Sequence, residues 1–200
     1  MASEKNKLII ITAPSGAGKT SITRYLLKTF PGKLAFSVSA ATRPARDYEK
    51  NGVDYYFIPI KDFKNKIQLN EFVEWEMVYE GKYYGTLRSD LERIWKLGKT
   101  PVLDVDVQGA LHVQRQYPES SLSLFLQPPS IEELKRRLES RGTETPESLQ
   151  TRINKASFEI SFSHQFDHII VNDNFENACT EAEQKVREFL NLALSPKGGV

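Results

Sequence analysis

Apolar residues along this chain alternate between two rhythms, short continuous runs and runs of helical spacing. Leu8-Ile9-Ile10-Ile11 is an unbroken apolar run inside a β-rich stretch from Lys7 to Thr12. Lys19 to Phe30 then places Ile22, Leu26 and Leu27 at helical spacing until Pro31-Gly32 breaks the chain. Leu34 to Ser39 reads as a second strand, and Ala40 to Val53 as a polar, charged loop too long to be idle. From Asp54 to Gly85 the style changes: Tyr55-Tyr56-Phe57-Ile58, a helical stretch from Lys61 to Leu69, Phe72 to Tyr79, a turn at Glu80-Gly81-Lys82, and Tyr83-Tyr84 predict a small β-rich insertion.

Helical periodicity returns with Leu87, Leu91, Ile94, Trp95 and Leu97 and stops at Gly98, a natural residue just past a helix end. Pro101 to Asp106 predicts a buried strand, Gln108 to Gln116 a short helix, and Leu122 to Leu126 another strand. Ser130-Ile131-Glu132-Glu133 is a capping box opening the next helix, and Thr145-Pro146 starts one more. His168-Ile169-Ile170-Val171 is the last strand, followed by a terminal helix from about Phe175 to Leu194. Strands alternating with helices predict an α/β fold, a doubly wound parallel sheet with sites at the strand C-termini.

The 200 residues suit a single α/β domain with insertions, and a net charge of +1 offers no general field for nucleic acid or an acidic membrane. Any anion recognition is therefore local. The one cysteine excludes an intramolecular disulfide framework and suits a reducing compartment, and Cys179 falls on the apolar stripe of the terminal helix. No apolar run approaches the ~20 residues needed to span a bilayer, so the expectation is a cytoplasmic protein. His164 and His168 stand four apart without a helix signal or a third ligand, which argues against zinc.

The chemistry concentrates directly after the first strand. Ala13-Pro14-Ser15-Gly16-Ala17-Gly18-Lys19-Thr20 is the phosphate-loop pattern G-x-x-x-x-G-K-[ST] with Ala13 in place of the first glycine. Gly16 and Gly18 let backbone N–H groups approach phosphates, Lys19 supplies a point charge, Thr20 offers a hydroxyl to Mg²⁺, and the helix start faces the anion. Such a loop serves many activities, so the neighbouring residues decide between them.

Arg43 and Arg46 lie three apart in the long loop, each able to fork onto phosphate oxygens, and Tyr55 and Tyr84 can donate to phosphate without adding charge. Alternation along Phe72-Val73-Glu74-Trp75-Glu76 sends Val73, Trp75 and Met77 to one face and Glu74 to the other. A carboxylate in a pocket accepts from two adjacent N–H donors, which guanine has at N1 and N2 and adenine lacks. Taken alone, a glutamate on a strand is more often solvated. Asp104 and Asp106, two apart on the predicted strand, point to one face, with Asp104 the candidate for Mg²⁺.

These segments together resemble the guanylate kinase family over nearly the whole chain. The resemblance runs from the phosphate loop through Ser37-Val38-Ser39, Thr42-Arg43, Asp54-Tyr55, Glu71 to Trp75, Tyr83-Tyr84-Gly85, Leu103 to Gly109, Arg141-Gly142-Thr143 and Val171-Asn172-Asp173. It implies a P-loop NTPase fold with core residues 5–38, 90–135 and 155–195, a GMP-binding insertion at about 39–89 and a helical lid at about 136–154.

It further implies ATP-dependent phosphorylation of GMP and dGMP, with ATP and GMP as partners and Mg²⁺ as cofactor. Arg43, Arg46, Tyr55 and Tyr84 would hold the GMP phosphate, while Glu74 with Ser39, Thr86 and Asp106 would read guanine or its surroundings. Lys19, Arg43, Arg137, Arg141 and Arg152 would act on the transferring phosphoryl group. Residues 13–20 and Asn172 would take ATP, with Thr20 and Asp104 toward the metal, directly or through water.

The family usually has serine at Thr86, and places the loop proline one position later than Pro44, which bears on the pose of Arg46. A protein-binding scaffold of the same family would lack part of this set, and a sugar-phosphate acceptor would not need Glu74.

Overall fold

The structure is a computed structural model that describes residues 6–140 and 145–193 of the chain. Its backbone divides into two compact units, Met1–Ile10 with Pro31–Ser121, and Ile11–Phe30 with Leu122–Val200. The strands are β1 (Leu8–Thr12), β2 (Leu34–Phe36), β3 (Ala40–Ala41), β4 (Tyr56–Phe57), β5 (Phe72–Tyr79), β6 (Lys82–Leu87), β7 (Thr100–Asp104), β8 (Ser121–Gln127) and β9 (His168–Val171). The helices are α1 (Lys19–Thr29), α2 (Ile60–Gln68), α3 (Arg88–Lys96), α4 (Val107–Gln116), α5 (Ile131–Glu139), α6 (Pro146–Ile160) and α7 (Phe175–Phe189).

Five strands form one sheet in the order β2-β7-β1-β8-β9, and four form a second in the order β4-β3-β6-β5. β2 pairs with β7 and β8 with β9 in parallel, as strands joined through helices must. All five residues of β1 are buried, which is why its run is continuous rather than alternating.

In the first unit the small sheet carries its own core. Phe63 of α2 stacks on Phe72 with ring centroids 4.3 Å apart, and Ala40 and Leu87 complete the cluster. Leu87 closes β6 and α3 starts one residue later, so it lies outside the helix its spacing suggested. Gly98 does end that helix, at φ +69°, a conformation that favours glycine.

An irregular register between Phe72 and Glu74 takes Val73 out of the alternation expected in β5. Phe72, Val73 and Glu74 are all buried in succession, whereas Trp75 is 41% and Met77 50% exposed. From Glu74 onward the alternation holds, with Trp75 and Met77 outward and Glu74 inward as the pattern predicts, and only Val73, within the irregular stretch, leaves the face it was expected to share with them.

In the second unit Leu134 and Leu138 of α5 pack on Ala156 of α6, with Leu149 and Ile153 against them. Ser130 caps α5 by accepting from Glu133 N at 3.1 Å, but the Glu133 carboxylate turns to Arg136 and Arg137 instead of closing the box. Thr145 and Ser148 do form a complete capping box, with Pro146 at the first helical position of α6. Cys179 is buried on α7, and burial pushes its thiol pKa up.

Candidate functional site

The anion loop lies in the second unit, between β1 and α1. Gly16 and Gly18 take φ values of +96° and +97°, a region L side chains rarely adopt. Ala17 N closes a turn onto Pro14 O at 3.1 Å, and Gly18 stands directly before α1 with no side chain capping the helix. The N-terminus of α1 therefore opens onto the loop with Ser21 N and Ile22 N already turned to Gly18 O, and a helix start without a side-chain cap is the kind of end that draws a phosphate. Ala13 is buried and does not share the left-handed backbone of the two glycines, so its methyl imposes no backbone strain.

Two residues distant in sequence shape this loop. Asn172, just beyond β9 and buried, donates from Nδ2 to Ala17 O at 2.8 Å, and any side chain at Gly18 would collide with that amide. Arg152 of α6 donates from Nη1 to Ser15 Oγ at 2.8 Å. A side chain at Gly16 would come within 3.0 Å of Leu134 and Leu138, so the loop rests on α5. Arg137 is held by Glu133 at 2.7 Å. Arg141, Gly142 and Thr143 lie outside the described residues. Thr20 is exposed in the first turn of α1, and its hydroxyl is the hard oxygen donor that Mg²⁺ favours.

The first unit brings Arg43, Tyr55 and Tyr84 together. Arg43 Nε donates to the Tyr84 hydroxyl at 3.1 Å, and its guanidinium lies 5.1 Å from the Tyr55 ring centre and 5.4 Å from that of Phe57. The Tyr55 and Tyr84 rings meet edge-on at 5.9 Å. Burial, and then the Asp104 carboxylate, push the Tyr55 phenol pKa up, so it stays a proton donor.

Arg46 goes elsewhere: it is exposed, and its Nη1 donates to the Tyr48 hydroxyl at 2.9 Å. Glu49, which carries no motif signal, grips Arg43 through both oxygens at 2.6 Å and accepts from Arg46 N at 2.8 Å. Asp90 was equally silent in the sequence, being one acid on a helical stretch. It is buried in the first turn of α3 and accepts from Ser37 Oγ, Val38 N and the Tyr56 hydroxyl, fixing the segment that leads into Ser39. Ser39 is half-buried, and its carbonyl accepts from Tyr56 N at 2.9 Å.

Glu74 is 5% exposed, and its Oε1 accepts from the buried Thr86 hydroxyl at 2.6 Å. Burial dominates its environment, with the nearby Asp106 charge adding to it, and lifts its pKa to about 7. Asp106 lies beyond the strand to which it was assigned. β7 ends at Asp104, and Asp106 is the N-cap of α4, accepting from Gly109 N at 2.8 Å. An aspartate two residues past a buried run reads as strand by pattern, but its side chain does more as a cap.

Comparison with known proteins follows the same outline. The guanylate kinase family profile matches residues 5–189. The chain belongs to the guanylate kinase family. A guanylate kinase of Bacteroides thetaiotaomicron is 49% identical over 185 residues, covering 92% of this chain and 90% of that one. One from Thermotoga maritima is 44% identical over 183 residues, covering 92% and 87%. The crystal structure of a guanylate kinase from Anaplasma phagocytophilum superposes with a TM-score of 0.73 at 31% identity, over 93% of this chain and 87% of that one. The fold is accordingly the P-loop NTPase α/β class expected of a guanylate kinase. No helix among the described residues is long and apolar enough to cross a membrane.

Proposed function

We propose that this protein transfers the γ-phosphoryl group of ATP to GMP, giving ADP and GDP, and accepts dGMP in the same site. The observation that carries the choice of acceptor is the buried Glu74 carboxylate, anchored at one oxygen by Thr86. Guanine presents N1–H and N2–H side by side to such a carboxylate, and adenine leaves it buried and unpaired. Ser39 and Asp106 belong to the surroundings of the base.

Arg43, Tyr55 and Tyr84 receive the acceptor phosphate, and Arg46 joins them by turning from Tyr48. Residues 13–20 hold the triphosphate through backbone N–H groups and Lys19, with Asn172 keeping the loop in shape. Thr20 and Asp104 are the oxygen donors we assign to Mg²⁺, directly or through water. When bound, the ion neutralises charge on the phosphate oxygens.

The acceptor is already a nucleophilic phosphate oxygen, so the chain's task is to align it with the γ-phosphorus and balance charge. Lys19, Arg43, Arg137, Arg141 and Arg152 supply that balance, and exclusion of water keeps the phosphoryl group from hydrolysis. This places the protein in purine nucleotide metabolism, in the cytoplasm.

The test is ADP release measured with GMP, dGMP, AMP, UMP and ribose bisphosphate at equal concentration. Acceleration by GMP and dGMP over the others is expected. No acceleration by GMP overturns the proposal.

A further inference from the structure

Gly109 stands in the first turn of α4, and its φ lies outside the left-handed region that Gly16, Gly18, Gly52, Gly81 and Gly98 occupy. Its backbone therefore makes no demand for glycine, and glycine is a poor helix former. Something other than the main chain accounts for it.

A methyl group at this position would lie 2.7 Å from Glu74 Oε2 and 3.3 Å from Glu74 Cδ, with Asp106 Oδ1 at 3.2 Å. None of these atoms is backbone. All belong to the ends of two acidic side chains, so the closest atoms a methyl would meet here are those of carboxyl groups. Glu74 cannot simply swing aside, because its Oε1 is fixed by Thr86 at 2.6 Å. Gly109 also donates its N–H to Asp106 Oδ1 at 2.8 Å, which holds the second acid in place.

We propose that Gly109 is a specificity-determining positioning residue: the space left by its missing side chain seats Glu74 Oε2 and thereby aims the carboxylate at the purine edge. The inference rests on the reading of Glu74 as the residue that recognises guanine. It explains why a helix-weakening residue stands where the backbone would accept any other, and it locates part of the base selectivity outside the residues that touch the base.

The test compares Gly109→Ala, Glu74→Gln and the double variant, using GMP and IMP as acceptors. IMP keeps N1–H and lacks the 2-amino group. Gly109→Ala is expected to raise KM for GMP about tenfold, the scale of one charge-assisted hydrogen bond, with kcat and KM for ATP within about twofold. The preference for GMP over IMP should shrink by a similar factor.

In the Glu74→Gln background the same methyl should change the GMP preference little, because the two residues act through one contact. A folded Gly109→Ala enzyme with unchanged preference overturns the inference, as do effects that simply multiply in the double variant. If Glu74→Gln itself leaves the preference intact, the reading of Glu74 fails, whatever Gly109 does.

Discussion

Glu49 holds Arg43 by both terminal nitrogens, each contact 2.6 Å long. Arg43 Nη1 also donates to Pro44 O and its Nε to the Tyr84 hydroxyl, so four of its five N–H groups are committed within the protein. This arginine is presented as a fixed cation rather than a mobile one.

The Arg43 guanidinium, with the Arg46 N–H behind it, lowers the Glu49 pKa from an ordinary 4.5 to about 2. A depressed carboxylate contributes stability above its unfolded value and loses it as the pH falls toward the folded one. Glu49→Gln should therefore melt at a lower temperature than the parent at pH 7, with the gap closing between about pH 4.5 and pH 2. Thermal melts across that range check this, and a gap independent of pH would contradict it.

Glu74 has the opposite sign. Its folded pKa of about 7 lies above the ordinary 4.5, so the native state without ligand binds the extra proton and stability falls as pH rises between those values. The full effect is on the order of 3 kcal/mol at 1.36 kcal/mol per unit, and Glu74→Gln should flatten it. If Glu74 reads guanine as proposed, GMP binds the carboxylate form, so its affinity should rise through pH 7 with proton release, which calorimetry in buffers of different ionisation enthalpy measures.

On the proposed reading of the acceptor site, Arg43→Ala removes a charge-assisted contact to the acceptor phosphate. At about 1.5–3 kcal/mol, kcat/KM for GMP should drop roughly 10- to 150-fold, while KM for ATP moves little. Equal loss on both substrates would mean that the residue serves the fold and not the acceptor.

Lys19→Ala should lower turnover by about a thousandfold or more, with Tm near that of the parent, because the lysine balances charge on the transferring group. Near-normal turnover would remove it from that role.

Asn172→Ala leaves Ala17 O without its buried donor, at a cost of about 1–3 kcal/mol, and should raise KM for ATP through a loosened loop. Ala13→Gly should bring no gain in ATP affinity, since Ala13 is already free of left-handed strain. A large gain would show that the native loop is compromised.

The phosphate loop was legible because its chemistry is local: the turn, the lysine and the helix start are neighbours in the chain. The strand and helix around it were equally plain, since β1 is buried throughout and α1 repeats at helical spacing. The acceptor site was legible only as types of residue. Its arginines and tyrosines could be named, yet Arg43 joins the tyrosine cluster while Arg46 turns to Tyr48, a choice made by Glu49 and the surrounding rings.

Asp106 moved from a strand to a helix cap because side-chain capping and strand pairing compete at the same residue, and only neighbours in space settle that contest. Glu74 is the clearest case. Its side of β5, opposite Trp75 and Met77, could be read from the alternation, but its burial could not, since the groups beside it include Thr86 and Gly109, 12 and 35 residues away. Periodicity and motif spacing carry short-range information, so they specified the elements and the donor loop. The burial of Glu74 and its contact with Thr86 depend on groups brought together by folding, and they follow from packing alone.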